Sequence, residues 1–192
     1  MESKFDSLVK NLLHKKTFVI VSGLHGDEPA GNKAAEYFKN QKNVHVISNI
    51  NKTNKRRVDG RDLNRHFDDK GHSDKIQEDI ISQIEELNPS MVIDLHEDDE
   101  VDGVYAYCSS ELENIVKYCL SNIELDIAKS AHGDKTNRGV IVNGKQPYKG
   151  TLERALAKRN IPYCTIETPS NIENFEKRVE CLKNIVHNLI GS

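Results

Sequence analysis

Residues 90–96 read SMVIDLH, a short apolar run that closes on an aspartate, a leucine and a histidine. The run is too short for a helix of its own and has the composition of a buried strand. Strands that are buried on both faces are typical of parallel sheets covered by helices on both sides. We therefore predict that this run is an interior strand that carries polar side chains at its end.

Strands and helices alternate along the rest of the chain. Further strands are predicted at 16–23, 43–50, 103–109, 139–142 and 161–168. Helical spacing predicts helices at 29–41, 73–89 with Ser73 as N-cap, 110–123, 151–160, 170–190 and, near the start of the chain, 5–13. The alternation predicts an α/β fold of three layers: a mixed, mostly parallel twisted sheet flanked by helices on both faces.

Composition narrows the functional classes. The 192 residues are expected to form a single catalytic domain, with no extra C-terminal β domain. A net charge of -3 and a pI of about 6.2 do not favour nucleic acid or an anionic membrane as a partner, and KTNKRR at 52–57 is the only basic run. No apolar run is long enough to span a bilayer, and the N-terminus does not resemble a signal peptide. The four cysteines form no C-x-x-C pair, so we expect reduced core thiols in a cytoplasmic protein.

Polar residues follow several of the predicted strands at the same end. In open α/β sheets, ligands bind at the carboxyl ends of the strands. The first strand leads into GLHGDE at 23–28, the third ends at His96, and the last ends in TIETPS with Glu167. These segments are far apart in sequence but are expected to meet at one edge of the sheet.

Two histidines and a glutamate in these segments form a typical set of zinc ligands. Catalytic zinc commonly has three protein ligands and one open position, which His25, Glu28 and His96 would provide for one ion per chain. Pro29 disfavours helical dihedral angles at Glu28, so residues 25–28 should form a turn that can direct both side chains at one ion. Glu167 is then the candidate general base. Each residue alone would more often belong to a surface turn, a structural histidine or a buried ion pair.

The motifs GLHGDEPAG, RVDGRDLNR, DLH and IET, taken in this order, resemble the zinc carboxypeptidase superfamily. They are most similar to its succinylglutamate desuccinylase/aspartoacylase branch, over roughly residues 16 to 170. The resemblance implies the same fold and a zinc-dependent hydrolase of amide C–N bonds. It also implies that His25, Glu28 and His96 bind the zinc, and that Glu167 activates water and then protonates the leaving nitrogen.

The resemblance implies further roles around the DLNR motif. Arg57 would polarise the scissile carbonyl, with Arg56 and Arg61 as rival positions. Asn64 and Arg65 would bind a carboxylate of the substrate, and Asp62 would orient the first zinc histidine. Two further candidates come from the segment before the last strand: Tyr148 as the superfamily's mobile tyrosine, and Arg154 as a weaker specificity residue.

Two substrate classes remain open within this resemblance. The residues of the motifs favour an N-acyl amino acid deacylase. In contrast, the acidic run EDDE at 97–100 after DLH is closer to bacterial carboxypeptidase-like members. We expect that run to be a solvated loop, which would repel acidic substrates or attract a cationic amine. His132 could line the pocket, although a polar loop histidine without a functional role is the more common case.

Other functional classes are weaker alternatives. A non-catalytic module that keeps the fold and the metal is one, although no catalytic position is visibly lost. RNA binding through KTNKRR is disfavoured by the acidic pI and the lack of stacking motifs. The expected partner is a small amide substrate with a carboxylate, and an open site would also suit a homo-oligomer.

Overall fold

The computed structural model describes residues 16–67, 74–142 and 148–191. Its strands are β1 Phe18–Ser22, β2 Val44–Ile47, β3 Met91–Asp98, β4 Tyr105–Cys108, β5 Ser130–Ala131, β6 Asp134–Lys135, β7 Val140–Val142 and β8 Tyr163–Pro169. Its α-helices are α1 Pro29–Glu36, α2 Lys75–Leu87, α3 Glu113–Leu120, α4 Leu152–Lys158 and α5 Phe175–Ile190, with 3-10 turns at Leu63–Arg65 and Ser110–Leu112.

Six strands form one mixed sheet in the order β2-β1-β3-β8-β4-β7. The first four are parallel to one another, while β4 pairs antiparallel with β8 and parallel with β7. The predicted strand at residues 90–96 is therefore β3, in the interior of the sheet, and every one of its residues is buried. Its carboxyl end lies beside the ends of β1 and β8.

Apolar side chains cover both faces of the sheet. On one face, residues such as Ile20 and Ile93 pack against α1, α3 and α5. On the other face, Val21 and Val92 pack against α2 and α4. The predicted three-layer α/β fold with a mixed, mostly parallel sheet is thus confirmed, because strands buried on both faces need helices on both sides.

Several element boundaries differ from the prediction. Strand β3 continues two residues past His96, and α2 has Asp74 rather than Ser73 at its N-cap position. Ser73 and the predicted helix at 5–13 lie outside the described residues. The small β5–β6 hairpin was not predicted, because a two-residue strand has no periodicity to detect.

All four cysteines are buried and unpaired, in agreement with the prediction of reduced core thiols. In the part of the chain that the structure describes, no helix combines the length and the apolar composition that a membrane span requires.

Candidate metal centre and active site

The loop after β1 is folded so that it faces the carboxyl end of β3. Gly26 donates its N–H to Lys55 O at 3.1 Å, and a Cβ on Gly26 would lie only 1.9 Å from Thr53 O. Only glycine permits this close approach of two backbones. Glu28 has φ -110° and ψ 69°, outside the helical region as expected before a proline. The loop therefore turns sharply and places two polar side chains against β3.

His25, Glu28 and His96 lie together at this point. Glu28 Oε1 is 2.7 Å from His25 Nδ1, and Glu28 Oε2 is 2.8 Å from His96 Nδ1. All three residues are at least 96% buried. The two imidazole rings are 5.1 Å apart between centroids, at an interplanar angle of 63°. The three residues predicted as zinc ligands thus present their donor atoms to one small volume.

The donor set fits a zinc ion. One atom from each of the three residues lies within 4.8 Å of the others, and this is the only such group among the described residues. Two imidazole nitrogens and a carboxylate oxygen are the donor types of catalytic zinc, with bond lengths of about 2.0–2.2 Å. A single ion can bridge atoms at these separations, and a fourth position would remain for water or substrate.

Each histidine has a second carboxylate behind it. Asp62 Oδ1 is 3.0 Å from His25 Nε2, and Asp94 Oδ2 is 3.0 Å from His96 Nε2. Such contacts fix the tautomer and the ring angle, and they leave Nδ1 free to bind a cation. The sequence predicted the role of Asp62 but missed Asp94. The available signal was the DLH motif itself, because residues i and i+2 of a strand point to the same face.

The electrostatics of the site favour a bound cation. Burial lowers the pKa of His96, but the charges of Asp94 and Glu28 outweigh it and hold the pKa well above its usual value. Burial raises the pKa of Asp62, yet its hydrogen bond with His25 and the charges nearby bring that pKa down to about 2. Protons on the histidines therefore balance the carboxylates in the absence of metal, and a dication can replace them.

Glu167 lies directly across from the metal-ligand strand. It is the register partner of His96 between β3 and β8, and of Tyr105 between β8 and β4. Partner residues point to the same face of a sheet, so Glu167 faces the same cavity as the donor set. Burial raises the pKa of Glu167 well above its usual value; the charge of His96 opposes this rise, and that of Glu28 adds to it.

Of the neighbouring residues Arg56 and Arg57, Arg56 lines the cavity and Arg57 does not. Both side chains are exposed, but Arg56 Nη1 donates to Glu28 Oε1 at 3.0 Å and Arg56 lines the cavity, whereas Arg57 is not among the lining residues. The physical reason is a tight turn: Asn51 Nδ2 donates to Lys55 O and Arg56 O, at 2.9 and 3.4 Å. This turn directs one arginine of the pair towards the site. The structure thus places Arg56, and not the predicted Arg57, at the cavity.

A cavity of about 630 Å³ opens beside the donor set. The predicted substrate-binding residues Asn64, Arg65 and Tyr148 all line it. Asn64 is buried, and its Oδ1 accepts the N–H of Leu152 at 2.9 Å, while Arg65 and Tyr148 are exposed at the rim. Phe67 N–H also donates to Gly150 O at 2.9 Å, so the segment before α4 is held against the DLNR turn. Arg154 is not among the lining residues.

The acidic run at 97–100 is half buried, which corrects the prediction of a solvated loop. Glu97 Oε2 accepts the N–H of Ala30 at 2.8 Å, and its Oε1 lies 2.8 Å from Arg178 Nη1. Asp98 Oδ2 accepts the hydroxyl of Tyr105 at 2.5 Å. These partners come from distant elements, so hydropathy could not reveal them. Only the second half of the run, residues 99 and 100, is exposed.

The cavity also contains His132, which the sequence offered as a possible lining residue, and three residues that the sequence did not single out. His132 Nε2 is 2.8 Å from Asp98 Oδ2, so this loop histidine does line the cavity. Tyr105 and Tyr107 come from β4 and Glu153 from the first turn of α4. The available signal for the two tyrosines was their spacing, because residues i and i+2 of a strand such as β4 point to the same face. Nothing in the local sequence marked Glu153, which follows a buried leucine in an ordinary helix.

Comparisons with known proteins identify the fold. No family model and no curated protein matches the sequence, but solved structures do. A Shewanella denitrificans protein, provisionally assigned as a metallopeptidase, superposes with a TM-score of 0.74 at 20% identity, over 93% of this chain and 75% of that one. Murein-tripeptide amidase MpaA from Escherichia coli O157 gives 0.62 at 18%, over 90% and 81%. A metallo-carboxypeptidase from Burkholderia cenocepacia gives 0.67 at 13%, over 92% and 56%.

The chain thus has the fold of zinc carboxypeptidase-like proteins, as the resemblance implied. At identities of 13–20%, the likeness shows the fold alone. A shared fold does not carry function by itself, so the activity has to be argued from the site.

Proposed function

We propose that this protein is a zinc-dependent hydrolase that cleaves an amide bond next to a residue with a free carboxylate. The observation that carries this proposal is the arrangement of His25, Glu28 and His96 around one small volume, with Glu167 on the neighbouring strand. A three-donor metal site beside a buried carboxylate is the arrangement that metal-assisted hydrolysis needs.

The residues of the chain divide the chemistry between them. Zinc held by His25, Glu28 and His96 would supply the positive charge that activates water at neutral pH and polarises the substrate carbonyl. The carboxylate of Glu167 accepts a proton from the attacking water and later donates it to the leaving nitrogen. One residue can serve both steps because the leaving nitrogen and the water flank the same carbon. Asp62 and Asp94 hold the two imidazoles in place.

Arg56 and the DLNR turn bind the substrate. The guanidinium of Arg56 donates to Glu28 and lines the cavity, so it is placed to stabilise the negative charge that develops on the carbonyl oxygen. Arg65, with its five N–H donors, and the amide of Asn64 would hold the substrate carboxylate at the rim. Tyr148 lines the same rim and would close over the bound substrate.

A peptide is the substrate class that the cavity supports better. Asp98, Asp99 and Glu100 all line the cavity, and these charges oppose a free carboxylate on the acyl side, as in a succinyl or an aspartyl group. The structural relatives described above include a carboxypeptidase and an amidase of murein tripeptide. An N-acyl amino acid with a neutral acyl group is the second candidate, and the GLHGDE and DLNR spellings favour it.

The proposal is tested by offering purified, zinc-loaded protein a mixed panel and detecting products by mass spectrometry. The panel contains N-acetyl and N-succinyl amino acids and N-blocked dipeptides with varied C-terminal residues. Release of the C-terminal residue from dipeptides is the expected result, and release from acyl amino acids alone would establish the deacylase. A chain that binds zinc but hydrolyses neither group would be a non-catalytic module, and the proposal would be wrong.

The two neighbouring arginines provide a matched comparison. Arg56→Ala should lower kcat about 100- to 1000-fold, the usual cost of removing one donor to a developing oxyanion. Arg57→Ala should change kcat by no more than a few-fold, because this side chain is exposed and lines no part of the cavity. Steady-state kinetics of both variants on the same substrate check this. The reverse ranking would restore Arg57 to the role that the sequence motif predicted.

A further inference from the structure

Among the described residues, and apart from the catalytic candidate Glu167, one buried carboxylate of the cavity has neither a hydrogen-bond nor an ion-pair partner. Four fully buried acidic side chains line the cavity: Glu28, Glu97, Asp98 and Glu153. The first three are paired: Glu28 with both histidines and Arg56, Glu97 with Ala30 N–H and Arg178, and Asp98 with Tyr105 and His132. For Glu153, which is only 7% exposed, Oε2 is buried with no hydrogen-bond donor anywhere in the described residues.

A second unpaired polar atom lies in the same cavity. The hydroxyl of Tyr107 is buried and has no hydrogen-bond partner within residues 16–67, 74–142 and 148–191, and the residue is 6% exposed. Burial raises the pKa of Tyr107, and the nearby Tyr148 and the charges of Glu167 and Glu153 add to the rise. The hydroxyl therefore stays protonated and offers its lone pairs as acceptors.

Contacts of neighbouring residues link Glu153 to the carboxylate-binding turn and Tyr107 to the catalytic carboxylate, and both residues line the same cavity. Glu153 directly follows Leu152, whose N–H is bound by Asn64 Oδ1 at 2.9 Å. Tyr107 packs edge-on against Tyr105 with ring centroids 5.6 Å apart, and Tyr105 is the register partner of Glu167. A substrate residue anchored by its carboxylate at Asn64 and Arg65 would therefore extend its side chain towards Glu153 and Tyr107.

An unpaired buried carboxylate destabilises the folded protein unless a ligand compensates its charge. A buried carboxylate of this kind is therefore a candidate binding site. An ionised carboxylate has only acceptor sites and favours a cationic donor. We propose that Glu153 and Tyr107 form a subsite for a cationic side chain, so that the residue released by hydrolysis is a basic amino acid with an ammonium or guanidinium group. This inference rests on the proposed function, because it assigns the substrate class of that same site.

The proposal is tested with substrates that differ only in charge at the released residue. The zinc-loaded chain is offered N-benzyloxycarbonyl-glycyl-lysine, -norleucine and -glutamate, together with N-acetyl-lysine and N-acetyl-norleucine. Whichever substrate class is cleaved, dipeptides or acetyl amino acids, kcat/KM for its lysine substrate should exceed that for its norleucine substrate by about 10- to 100-fold. This is the usual effect of a buried charge-assisted hydrogen bond. In Glu153→Gln, this ratio should fall to near one.

Glu100→Gln is the matched control. It removes the same charge from the same cavity, but its side chain is 76% exposed and water screens it. If the lysine-to-norleucine ratio falls equally in Glu100→Gln and Glu153→Gln, the preference comes from the general acidity of the cavity, and the subsite is wrong. Equal kcat/KM for lysine and norleucine in the unmodified chain overturns the proposal directly.

Binding of the released amino acid separates this inference from the proposed function. Calorimetric titration of the metal-free and zinc-loaded chains with free lysine and free norleucine needs no turnover. If free lysine binds at least tenfold more tightly than free norleucine, and if Glu153→Gln removes this difference, the subsite is supported. This result would hold even if no substrate on the panel were cleaved. Hydrolysis of dipeptides without a preference for lysine, and without this difference in binding, would keep the hydrolase and remove the subsite.

Discussion

Replacing Glu167 by glutamine is expected to leave zinc binding intact and to lower kcat by about 100- to 10,000-fold, the usual contribution of a general acid–base residue. Glutamine has nearly the size of glutamate, but its amide cannot accept a proton from water or return one to the leaving nitrogen. Glu167 is not one of the three metal donors, so the metal content of the variant should match that of the unmodified chain.

The measurement is steady-state kinetics on the best substrate of the panel, together with zinc analysis of the same protein preparation. Glu173→Gln is a suitable control, because it makes the same change at an exposed position that does not line the cavity. Unchanged turnover in Glu167→Gln would remove this residue from the mechanism. A loss of zinc together with activity would instead make Glu167 part of the metal site.

Glu28→Gln is expected to abolish zinc binding and, with it, all activity. In the structure the Glu28 carboxylate contacts both imidazoles, Arg56 Nη1 at 3.0 Å and Glu97 N–H at 3.1 Å. Burial raises the pKa of Glu28, but the charges and hydrogen bonds of His96 and His25 stabilise the ionised form and hold the pKa far below its usual value. A neutral amide is a poor zinc ligand and removes the one anionic donor of the set.

Metal binding can be read without activity. A ligand that binds only the folded state raises the free energy of unfolding, by about 2.7 kcal/mol at 100 times its Kd. Zinc should therefore raise the thermal midpoint of the unmodified chain and leave that of Glu28→Gln unchanged. Asp94→Asn is the graded comparison: it keeps all three donors and loses only the support of His96, so zinc affinity should fall 10- to 100-fold. Equal shifts in all three proteins would contradict this metal site.

The order of the elements could be predicted from the sequence because it depends on local patterns. The apolar run before His96 is a buried interior strand, and the alternation of strands and helices produced the layered sheet. The grouping of the candidate metal donors could be predicted for the same reason. The carboxyl ends of parallel strands share one edge of the sheet, so polar residues at those positions are brought together by topology alone. His25, Glu28, His96 and Glu167 all follow this rule.

The differences from the prediction lie where side-chain hydrogen bonds and ion pairs, and not hydropathy or periodicity, decide the surroundings of a residue. Whether Arg56 or Arg57 enters the cavity depends on hydrogen bonds from Asn51 that turn the backbone by one residue. The acidic run was predicted to be a solvated loop because hydropathy does not reveal its partners Arg178 and Tyr105, which lie on other secondary-structure elements.

The sequence by itself therefore determined the layered fold and the kinds of atoms at the site, since both follow from periodicity and from the ends of strands. Only the tertiary structure decided which charges are neutralised and which are not. Glu28, Glu97, Asp98 and Glu153 are all acidic residues in the same cavity, yet among the described residues Glu153 alone of these four has neither a hydrogen-bond nor an ion-pair partner. Whether a charged group is buried and paired depends on its neighbours in three dimensions. The electrostatic interaction energy of that group depends on the same neighbours.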